Sequence, residues 1–493
     1  MTRSLTKSKE GFDWTKEQLH LFDTALDPNV NFLKVEAVAG ASKSSSLIEV
    51  AERFGPSSKQ LYLTFSKAMA DESSTKFPSN TECSTIHSLA YKYTVRQYGL
   101  DVGFFNARDL RGKLNYGERK VIIKHLEEFL LSGYTDSESY FATTNAKQYV
   151  IDSVDEHLDL MAAGVIKCTH SFYLKFFHIM LELGEIKVPK YDLLMIDEAG
   201  DLTNLTIEVF KLLSANTKIL TGDRYQTIMT FMFCTNAFEY FKDVGTTVNL
   251  TQSFRVSEPL AKKVESFMRT NVDKEFVFRG FKYSKVTNNS TMYIARTNGS
   301  LVAEMLRNMD KGKAFKTTRK IDTILELPLV LANLDNGEPI KVHQYKLLEK
   351  YRNSWNTNPY IKANHESLLE YIKAELKYDE EIVRGVNVVL KNNAARLLKL
   401  KAFVDKNLNT PTTLVCTSCH SSKGLEADTV VLAPDVDTTV DRALRWQISG
   451  TPKQKAEAET ELKLYYVAIT RARHTLKGTD LLKEKTGLAG WRL

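Results

Sequence analysis

A lysine in a short glycine-containing loop is the first feature of this sequence that points to chemistry. Residues 39–46 read Ala-Gly-Ala-Ser-Lys-Ser-Ser-Ser and follow the apolar run 32–38. Such a loop binds phosphate, because backbone N–H groups and the N-terminus of a following helix face the anion. Lys43 would reach the β and γ oxygens, and Ser44 would ligate Mg²⁺. The predicted nucleotide-binding residues of the loop are Gly40, Lys43, Ser44 and Ser45.

The loop departs from the usual phosphate-loop pattern at two positions. The pattern G-x-x-x-x-G-K-[ST], aligned on Lys43, has glycine where this chain has Ser42, and its first glycine is also missing, since the residues before the loop are Ala37 and Val38. If the backbone at position 42 needs a positive φ, a residue with a β-carbon is strained there. The alternative interpretation is a serine-rich helix N-cap followed by an exposed lysine.

A pair of adjacent carboxylates follows a second apolar run. Asp197 and Glu198 come directly after residues 193–196, which read Leu-Leu-Met-Ile. An α/β sheet binds its ligands at the carboxyl ends of such strands. Asp197 would hold Mg²⁺ through water, and Glu198 would orient and deprotonate the attacking water. The alternative is a strand that ends in a solvated acidic turn.

A third apolar run supplies an amide to the same predicted site. Residues 218–221 are followed by Gly222 and Asp223, and Gln226 lies three residues further on. An amide at this point can sense the γ-phosphate of a bound nucleotide. Together the phosphate loop, the paired carboxylates and this amide predict an enzyme that hydrolyses nucleoside triphosphates with Mg²⁺.

The elements that position these residues alternate along the chain between strand-like and helical segments. This alternation predicts an α/β architecture with parallel sheets. The predicted buried strands are 32–38, 60–65, 193–196, 218–221, 413–416 and 429–432. Residues 104–180 are mainly amphipathic helix, as in 117–131 and 150–162, and are predicted to be an insertion between strands of one sheet. Residues 303–410 form a second candidate insertion.

Length and composition bound the class of protein. The 493 residues are 43% hydrophobic and 26% charged, which is typical of a soluble globular chain of about three domains. The net charge of +7 permits a nucleic-acid partner without requiring one. No apolar run reaches the ~18 residues of a membrane span, and residues 1–14 lack a secretory signal. We therefore expect a cytoplasmic location.

The five cysteines do not form a disulfide framework, which favours a reducing compartment. Residues 416–420 read Cys-Thr-Ser-Cys-His and fit the haem-attachment pattern. Covalent haem of this type needs an oxidising context outside the cytoplasm, and a zinc site needs a second pair of ligands. We expect neither, and interpret these thiols as small core or loop residues.

Further segments match a wider set of motifs in the correct order, and on these residues the chain resembles the superfamily 1A DNA helicases of the UvrD/PcrA/Rep group. Within that group it is most similar to the helicase core of the F-box DNA helicases. The matching segments are 14–18, 61–67, 84–91, 197–201, 222–232, 250–255, 418–428 and 466–473. The resemblance runs from Trp14 to about Leu476 and is weakest over about 104–165 and 303–410.

The resemblance implies further contacts to ATP. Gln18 would read the adenine with its amide, Phe254 would pack on the same base, and Glu426 would reach the ribose. Arg255 would contact the γ-phosphate. Arg471 would be the arginine finger that neutralises charge on the transferred phosphoryl group.

The resemblance also implies a path for single-stranded DNA. The implied DNA-contacting residues are Phe65, His87, Phe231, Ser418 and His420. A base would stack on Phe231, and Tyr62 is a further candidate for stacking. Met232 stands where the family has an arginine, and Gly200 stands where it usually has a glutamine.

The fold implied by the resemblance is α/β, with two RecA-like phosphate-loop domains that bind ATP between them and a mainly helical insertion in each. Domain 1A is predicted at 1–90 and 180–245, insertion 1B at 91–179, domain 2A at 246–302 and 411–493, and insertion 2B at 303–410. No F-box segment precedes Trp14, so we do not expect the ubiquitin-ligase role of the eukaryotic relatives.

The implied function is an ATP-dependent translocase and helicase that moves 3′→5′ on single-stranded DNA and unwinds tailed duplexes. It would act as a monomeric motor in replication, recombination or repair, with recombinase or replication proteins as candidate partners. The compact size would suit a phage-encoded enzyme that works in the host cytoplasm.

Two alternatives stay open. The first is a translocase that displaces recombinase or other proteins from DNA with little unwinding. The second is a degenerate DNA-binding protein without enzymatic activity, an interpretation motivated by Val38, Ser42, Gly200 and Met232. ATP turnover with and without single-stranded DNA distinguishes the enzyme from the degenerate protein.

Overall fold

The chain divides near residue 252 into two compact units. The computed structural model describes residues 13–107, 109–228, 234–282, 289–377 and 379–482. Unit 1 comprises Met1–Gln252 and unit 2 comprises Ser253–Leu493. Each unit contains its own parallel sheet.

Unit 1 is built on a six-stranded sheet with helices before, between and after its strands. In chain order its elements are α1 (Lys16–Leu26), β1 (Phe32–Ala37), α2 (Lys43–Arg53), β2 (Gln60–Thr64), α3 (Lys67–Ser74), β3 (Thr81–Thr85), α4 (Ile86–Tyr93), α5 (Val95–Tyr98), α6 (Tyr116–Leu131), α7 (Ser137–Phe141), α8 (Gln148–Ala162), α9 (His170–Glu182), β4 (Tyr191–Ile196), β5 (Leu202–Thr203), α10 (Asn204–Leu212), β6 (Ala215–Gly222), β7 (Cys234–Thr235), α11 (Ala237–Tyr240) and β8 (Thr246–Leu250).

The strands of this sheet are all parallel, in the order β3-β2-β4-β6-β1-β8. The central strands β1, β2 and β4 are buried along almost their whole length, which explains why they read as continuous apolar runs. Because the strands are parallel, the loops after β1, β2, β4 and β6 all leave from the same carboxyl edge. The sheet therefore brings together segments that are far apart in sequence.

The helices α4 to α9 lie between β3 and β4, two strands of the same sheet. Their apolar side chains, such as Ile122, Phe129 and Phe172, join Leu61 and Leu194 of the sheet in one buried cluster. The helical segment predicted from periodicity is therefore packed on the sheet of unit 1.

Unit 2 has a five-stranded sheet and a second group of helices. In chain order its elements are β9 (Gln252–Ser257, which starts at the division), α12 (Glu258–Asn271), β10 (Arg279–Phe281), β11 (Thr291–Ala295), α13 (Asn298–Asp310), β12 (Lys316–Thr317), α14 (Ile321–Asp335), α15 (Glu349–Thr357), α16 (Pro359–Asn364), α17 (Leu368–Glu375), α18 (Glu380–Lys391), α19 (Ala394–Lys406), β13 (Leu414–Ser418), β14 (Ala427–Leu432), α20 (Pro434–Ser449), α21 (Pro452–Ile469) and β15 (Ala472–Lys477).

The second sheet is also parallel, in the order β12-β13-β11-β14-β15. Helices α14 to α19 are inserted between β12 and β13. Part of this insertion has a buried cluster of its own, which includes Leu331, Leu369 and Ile372. The insertion is thus a small helical body on the second sheet.

The predicted α/β class with parallel sheets is confirmed, and the mixed architecture agrees with two RecA-like domains. The domain limits themselves stay a prediction. The predicted boundary at 245/246 falls before β8, and the structure pairs β8 with β1 in the first sheet. None of the described helices is both long and apolar enough to cross a membrane.

Candidate functional site

The loop after β1 has two residues in the left-handed region. Gly40 has φ +76° and Ser42 has φ +56° with ψ +42°. The turn is closed by the Ala41 amide, which donates to the carbonyl of Val38 at 3.1 Å. Position 42 therefore has the conformation that favours glycine, and this chain places a β-carbon there. The left-handed conformation costs a residue with a β-carbon about 1–2 kcal/mol, and it persists only where the surrounding structure stabilises it.

Helix α2 begins directly after this strained residue. Lys43 is half-buried, whereas Ser44 and Ser45 are exposed on the first turn. The side chain of Ser42 makes no capping hydrogen bond among the described residues. The N-terminus of α2 thus presents backbone donors and a lysine together, which is the arrangement that holds an anion.

The two carboxylates lie at the carboxyl end of the neighbouring part of the sheet. Asp197 is buried; its Oδ2 accepts from the hydroxyl of Tyr62 at 3.1 Å and its Oδ1 from the amide of Glu198 at 2.8 Å. Burial and the charge of Glu198 raise the pKa of Asp197, while the charge of Lys43 opposes them. A divalent cation would favour the ionised form of this carboxyl group. Glu198 has φ +56° and is therefore a second left-handed residue of the site.

The donor set agrees with Mg²⁺. No three His, Cys, Asp or Glu side chains of the described ranges converge as a metal cage. Mg²⁺ is usually held by one or two carboxylates together with waters and substrate phosphates, so it needs no such cage. Asp197 and the exposed hydroxyl of Ser44 offer suitable oxygens.

The turn after β6 packs tightly on the turn that carries the carboxylates. A β-carbon at Gly200 would lie 2.9 Å from the carbonyl oxygen of Asp223, and one at Gly222 would lie 2.8 Å from the amide nitrogen of Ala199. Gly200 is therefore required by the close approach of the two turns. The glycine at position 200, where the family usually has glutamine, therefore has a steric explanation.

Gln226 is held inside this turn. Its Nε2 donates to Oδ2 of Asp223 at 2.7 Å, and its backbone amide donates to the Asp223 carbonyl at 3.0 Å. The side chain is buried at the edge of the sheet that carries the carboxylates. A role in sensing phosphate stays a prediction for this residue.

Gln18 lies on α1 and contacts the phosphate loop. Its side chain is 2% exposed. The Oε1 atom accepts from the amide of Thr15 at 3.0 Å, and Nε2 donates to the hydroxyl of Ser46 on α2 at 3.0 Å. The structure thus brings Gln18 to the loop, but through protein contacts that the sequence did not suggest.

The predicted DNA contacts of unit 1 differ in exposure. Phe65 follows β2 at the carboxyl edge and is 60% exposed. His87 is half-buried at the start of α4; burial and the nearby His170 lower its pKa to about 4. Phe231, together with Met229 and Met232, lies outside the described residues.

Tyr62 is not available to stack on a base, and that part of the interpretation is wrong. The ring is buried and stacks on Phe77 at a centroid distance of 4.5 Å. The hydroxyl is directed at Asp197. Strands β2 and β4 pair so that Tyr62 lies beside Met195, two residues before Asp197, and this register explains the contact.

In unit 2 the predicted nucleotide contacts form an ion-pair group. Nε of Arg255 donates to Oε2 of Glu426 at 2.7 Å, and Arg473 donates to the other oxygen of the same carboxylate. Burial alone would raise the pKa of Glu426, but the two arginines outweigh it and the pKa is lowered. Phe254 contacts Phe281 at 5.8 Å between ring centroids. Sequence reasoning missed Arg473, which follows Arg471 by two residues.

Arg471 is enclosed at the end of α21. Its side chain is 1% exposed. The guanidinium donates to the carbonyl of Val467 at 2.8 Å, to that of Leu425 at 3.3 Å and to the hydroxyl of Thr470 at 3.0 Å. In this conformation the arginine ties α21 to the segment before β14.

The remaining predicted contacts lie after β13. Ser418 is buried and its hydroxyl bonds that of Ser421 at 3.1 Å, while His420 is half-exposed in a 3₁₀ turn, residues 420–422. Cys416 and Cys419 are buried beside them. In unit 1 the phosphate loop, the paired carboxylates and Gln226 thus follow strands at the carboxyl edge of the sheet, whereas in unit 2 Glu426 and Arg471 directly precede β14 and β15, at the amino edge.

Comparison with known proteins gives a family match over part of the chain and relatives that align with nearly all of it. Residues 366–477 match the family described as the UvrD-like helicase C-terminal domain. F-box DNA helicase 1 of Gallus gallus is 24% identical over 536 aligned residues, which cover 97% of this chain and 50% of the relative. F-box DNA helicase protein 1 of Schizosaccharomyces pombe is 24% identical over 532 residues, which cover 95% of this chain and 57% of the relative. The chain spans about half the length of these curated relatives.

Proposed function

Because the chain resembles the superfamily 1 helicases of the UvrD-like group, as its motifs predicted, we propose that it is an ATP-dependent DNA helicase. It would translocate 3′→5′ on single-stranded DNA and unwind tailed duplexes. The observation that carries the proposal is the edge of the first sheet, where the phosphate loop, Asp197 and Glu198, and Gln226 all follow parallel strands.

The residues of unit 1 have distinct roles in this proposal. Lys43 and the amides of the α2 N-terminus bind the phosphates, and Gly40 allows the backbone to approach them. Ser44 and Asp197 would hold Mg²⁺, which would neutralise charge on the phosphoryl group. Glu198 accepts the proton of the attacking water. The buried carboxylate of Asp197 accepts hydrogen bonds from the hydroxyl of Tyr62 and from the amide of Glu198. It is therefore oriented before a nucleotide binds.

The resemblance to the superfamily 1 helicases assigns further roles to residues of unit 2. Arg255 would bind the γ-phosphate, which requires it to exchange the carboxylate of Glu426 for the ligand. Arg473 also pairs with Glu426 and would keep that side chain neutralised during the exchange. Arg471 would act as the arginine finger only if its guanidinium leaves the carbonyl groups that now surround it.

DNA is the proposed substrate, because both relatives are named as DNA helicases. Phe65 and Phe231 would stack on bases, while His87, Ser418 and His420 would line the strand. We propose a monomeric motor in the cytoplasm that acts in replication, recombination or repair. The alternative is a translocase that displaces recombinase or other proteins from DNA with little unwinding, and unwinding assays distinguish it from a helicase.

The test is ATP turnover with and without single-stranded DNA, followed by strand displacement on duplexes with 3′ or 5′ tails. We expect DNA to stimulate turnover and the 3′-tailed duplex to be unwound. The Lys43→Ala variant is the control, since it should lose turnover and keep DNA binding. DNA binding without turnover in the parent would support a degenerate, non-enzymatic protein. DNA-stimulated turnover without unwinding would support the displacement role.

A further inference from the structure

A chain of hydrogen bonds connects the first turn of α1 to the residue that precedes Lys43. The Thr15 amide donates to Oε1 of Gln18, and Nε2 of Gln18 donates to Oγ of Ser46. The Ser46 hydroxyl in turn donates to the carbonyl of Ser42 at 3.0 Å. The backbone amide of Ser46 donates to the same carbonyl, also at 3.0 Å.

The acceptor at the end of this chain is the strained residue of the loop. The Ser46 hydroxyl oxygen accepts a hydrogen bond from Gln18, so the single hydroxyl hydrogen is available to donate to the carbonyl of Ser42. Two donors then fix the orientation of the peptide group between Ser42 and Lys43. That peptide supplies the first backbone N–H of the anion-binding turn.

The burial of Gln18 indicates that its main role is to orient this peptide group. The side chain is 2% exposed, and both ends of its amide are bonded within unit 1. A base reader needs an amide edge that a nucleotide can reach. The contact to Ser46 instead directs the effect of Gln18 to the phosphate loop, independently of which base a nucleotide carries.

We propose that Gln18 is a positioning residue which, through Ser46, holds Ser42 in its left-handed conformation and so preorganises the phosphate loop. The assignment rests on the proposed nucleotide binding of this site. Without the link, Ser42 would relax toward an ordinary conformation, and any nucleotide would have to restore the strained one on binding.

The experiment measures equilibrium binding of ATP and of GTP to the parent chain, Gln18→Ala and Ser46→Ala, each with serine or glycine at position 42. We expect both single variants to weaken ATP and GTP alike by about threefold to tenfold, as for loss of one net hydrogen bond. The Gln18→Ala/Ser46→Ala double variant should be no weaker than either single variant. With Ser42→Gly the loss should fall below about twofold, because glycine adopts positive φ without support.

Two results would overturn the assignment alone. One is a Gln18→Ala variant that weakens ATP far more than GTP, which would make Gln18 a reader of adenine. The other is a loss of unchanged size in the Ser42→Gly background, which would mean that Gln18 acts elsewhere. A parent chain that binds neither nucleotide would overturn the proposed function as well.

Thermal unfolding of the ligand-free proteins gives an independent measurement. If the link supports the strain, Gln18→Ala should lower the unfolding temperature less when position 42 is glycine. If Gln18→Ala fails to fold, the same comparison can be made with Ser46→Ala. This variant removes the side-chain hydrogen bonds that connect Gln18 to Ser42 and keeps the capping contact between Gln18 and Thr15. Additive effects at positions 18 and 42 would contradict the proposal.

Discussion

Replacement of Ser42 by glycine should stabilise the ligand-free protein. The residue has φ +56°, a conformation that costs a residue with a β-carbon about 1–2 kcal/mol. Glycine avoids that cost but loses about 0.5–1 kcal/mol more in backbone entropy on folding. The difference is a gain of roughly 0.5–1 kcal/mol, or about 1–4 °C in the unfolding temperature of a unit of this size.

The same reasoning predicts little change in the apparent KM for ATP. The strain is already present in the ligand-free loop, so glycine lowers the free energy of the free and bound states together. A steady-state ATP titration at saturating single-stranded DNA should therefore give a KM within about twofold of the parent value, a difference of under ~0.5 kcal/mol. Thermal unfolding of both proteins in one buffer measures the stability.

Ser42→Ala is the matched control, because it keeps the β-carbon and its strain while it removes the hydroxyl group. We expect it to match the parent in both measurements. A raised KM in both variants would show that the hydroxyl binds phosphate or the Mg²⁺ shell. A lower unfolding temperature for Ser42→Gly would refute the strain argument itself.

Three further variants test the proposed machinery. Glu198→Gln should bind ATP but turn it over at least about a hundredfold more slowly, since loss of a general base costs ~10²–10⁴ in rate; unchanged turnover would place the base elsewhere. Arg471→Lys should lower turnover by ~10³ or more if the arginine is a finger, whereas a loss under about tenfold with a lower unfolding temperature would assign it to the fold of unit 2. Phe65→Ala should weaken single-stranded DNA binding by roughly 1–3 kcal/mol without changing stability. Leu183, which is similarly exposed, supplies the control variant Leu183→Ala, and equal losses of DNA binding in both variants would exclude stacking at Phe65.

The central strands of the first sheet could be predicted from sequence because burial on both faces leaves a continuous apolar signature. β1, β2 and β4 were located within two residues of their ends for this reason. The edge strands β8 and β15 were missed, since each is buried over only part of its length and has polar residues between its buried positions. The central strand β11 of the second sheet was also missed, although it is buried along most of its length. An edge strand is recognised by its partner, and the partner is not visible in a local pattern.

The features of the candidate site likewise fall into those that a short motif identifies and those that only the folded structure identifies. Lys43, Asp197 and Glu198 were found because each sits in a short motif that is defined by its immediate neighbours. The contacts of Gln18 with Ser46, of Tyr62 with Asp197 and of Arg255 with Glu426 join positions that are 28, 135 and 171 residues apart. Only the packing of the folded chain reveals such pairs, so their roles could not be inferred from spacing.

The close approach of the turns at Gly200 and Gly222 has a consequence for how this sequence can evolve. With under 3 Å between a β-carbon on one turn and the backbone of the other, neither position tolerates a side chain unless its opposite turn moves. A lineage that acquires glutamine at position 200 must therefore first widen the turn at 223–227. The two glycines form an epistatic pair, and a saturation library should recover larger residues at either position only with compensating changes across that gap.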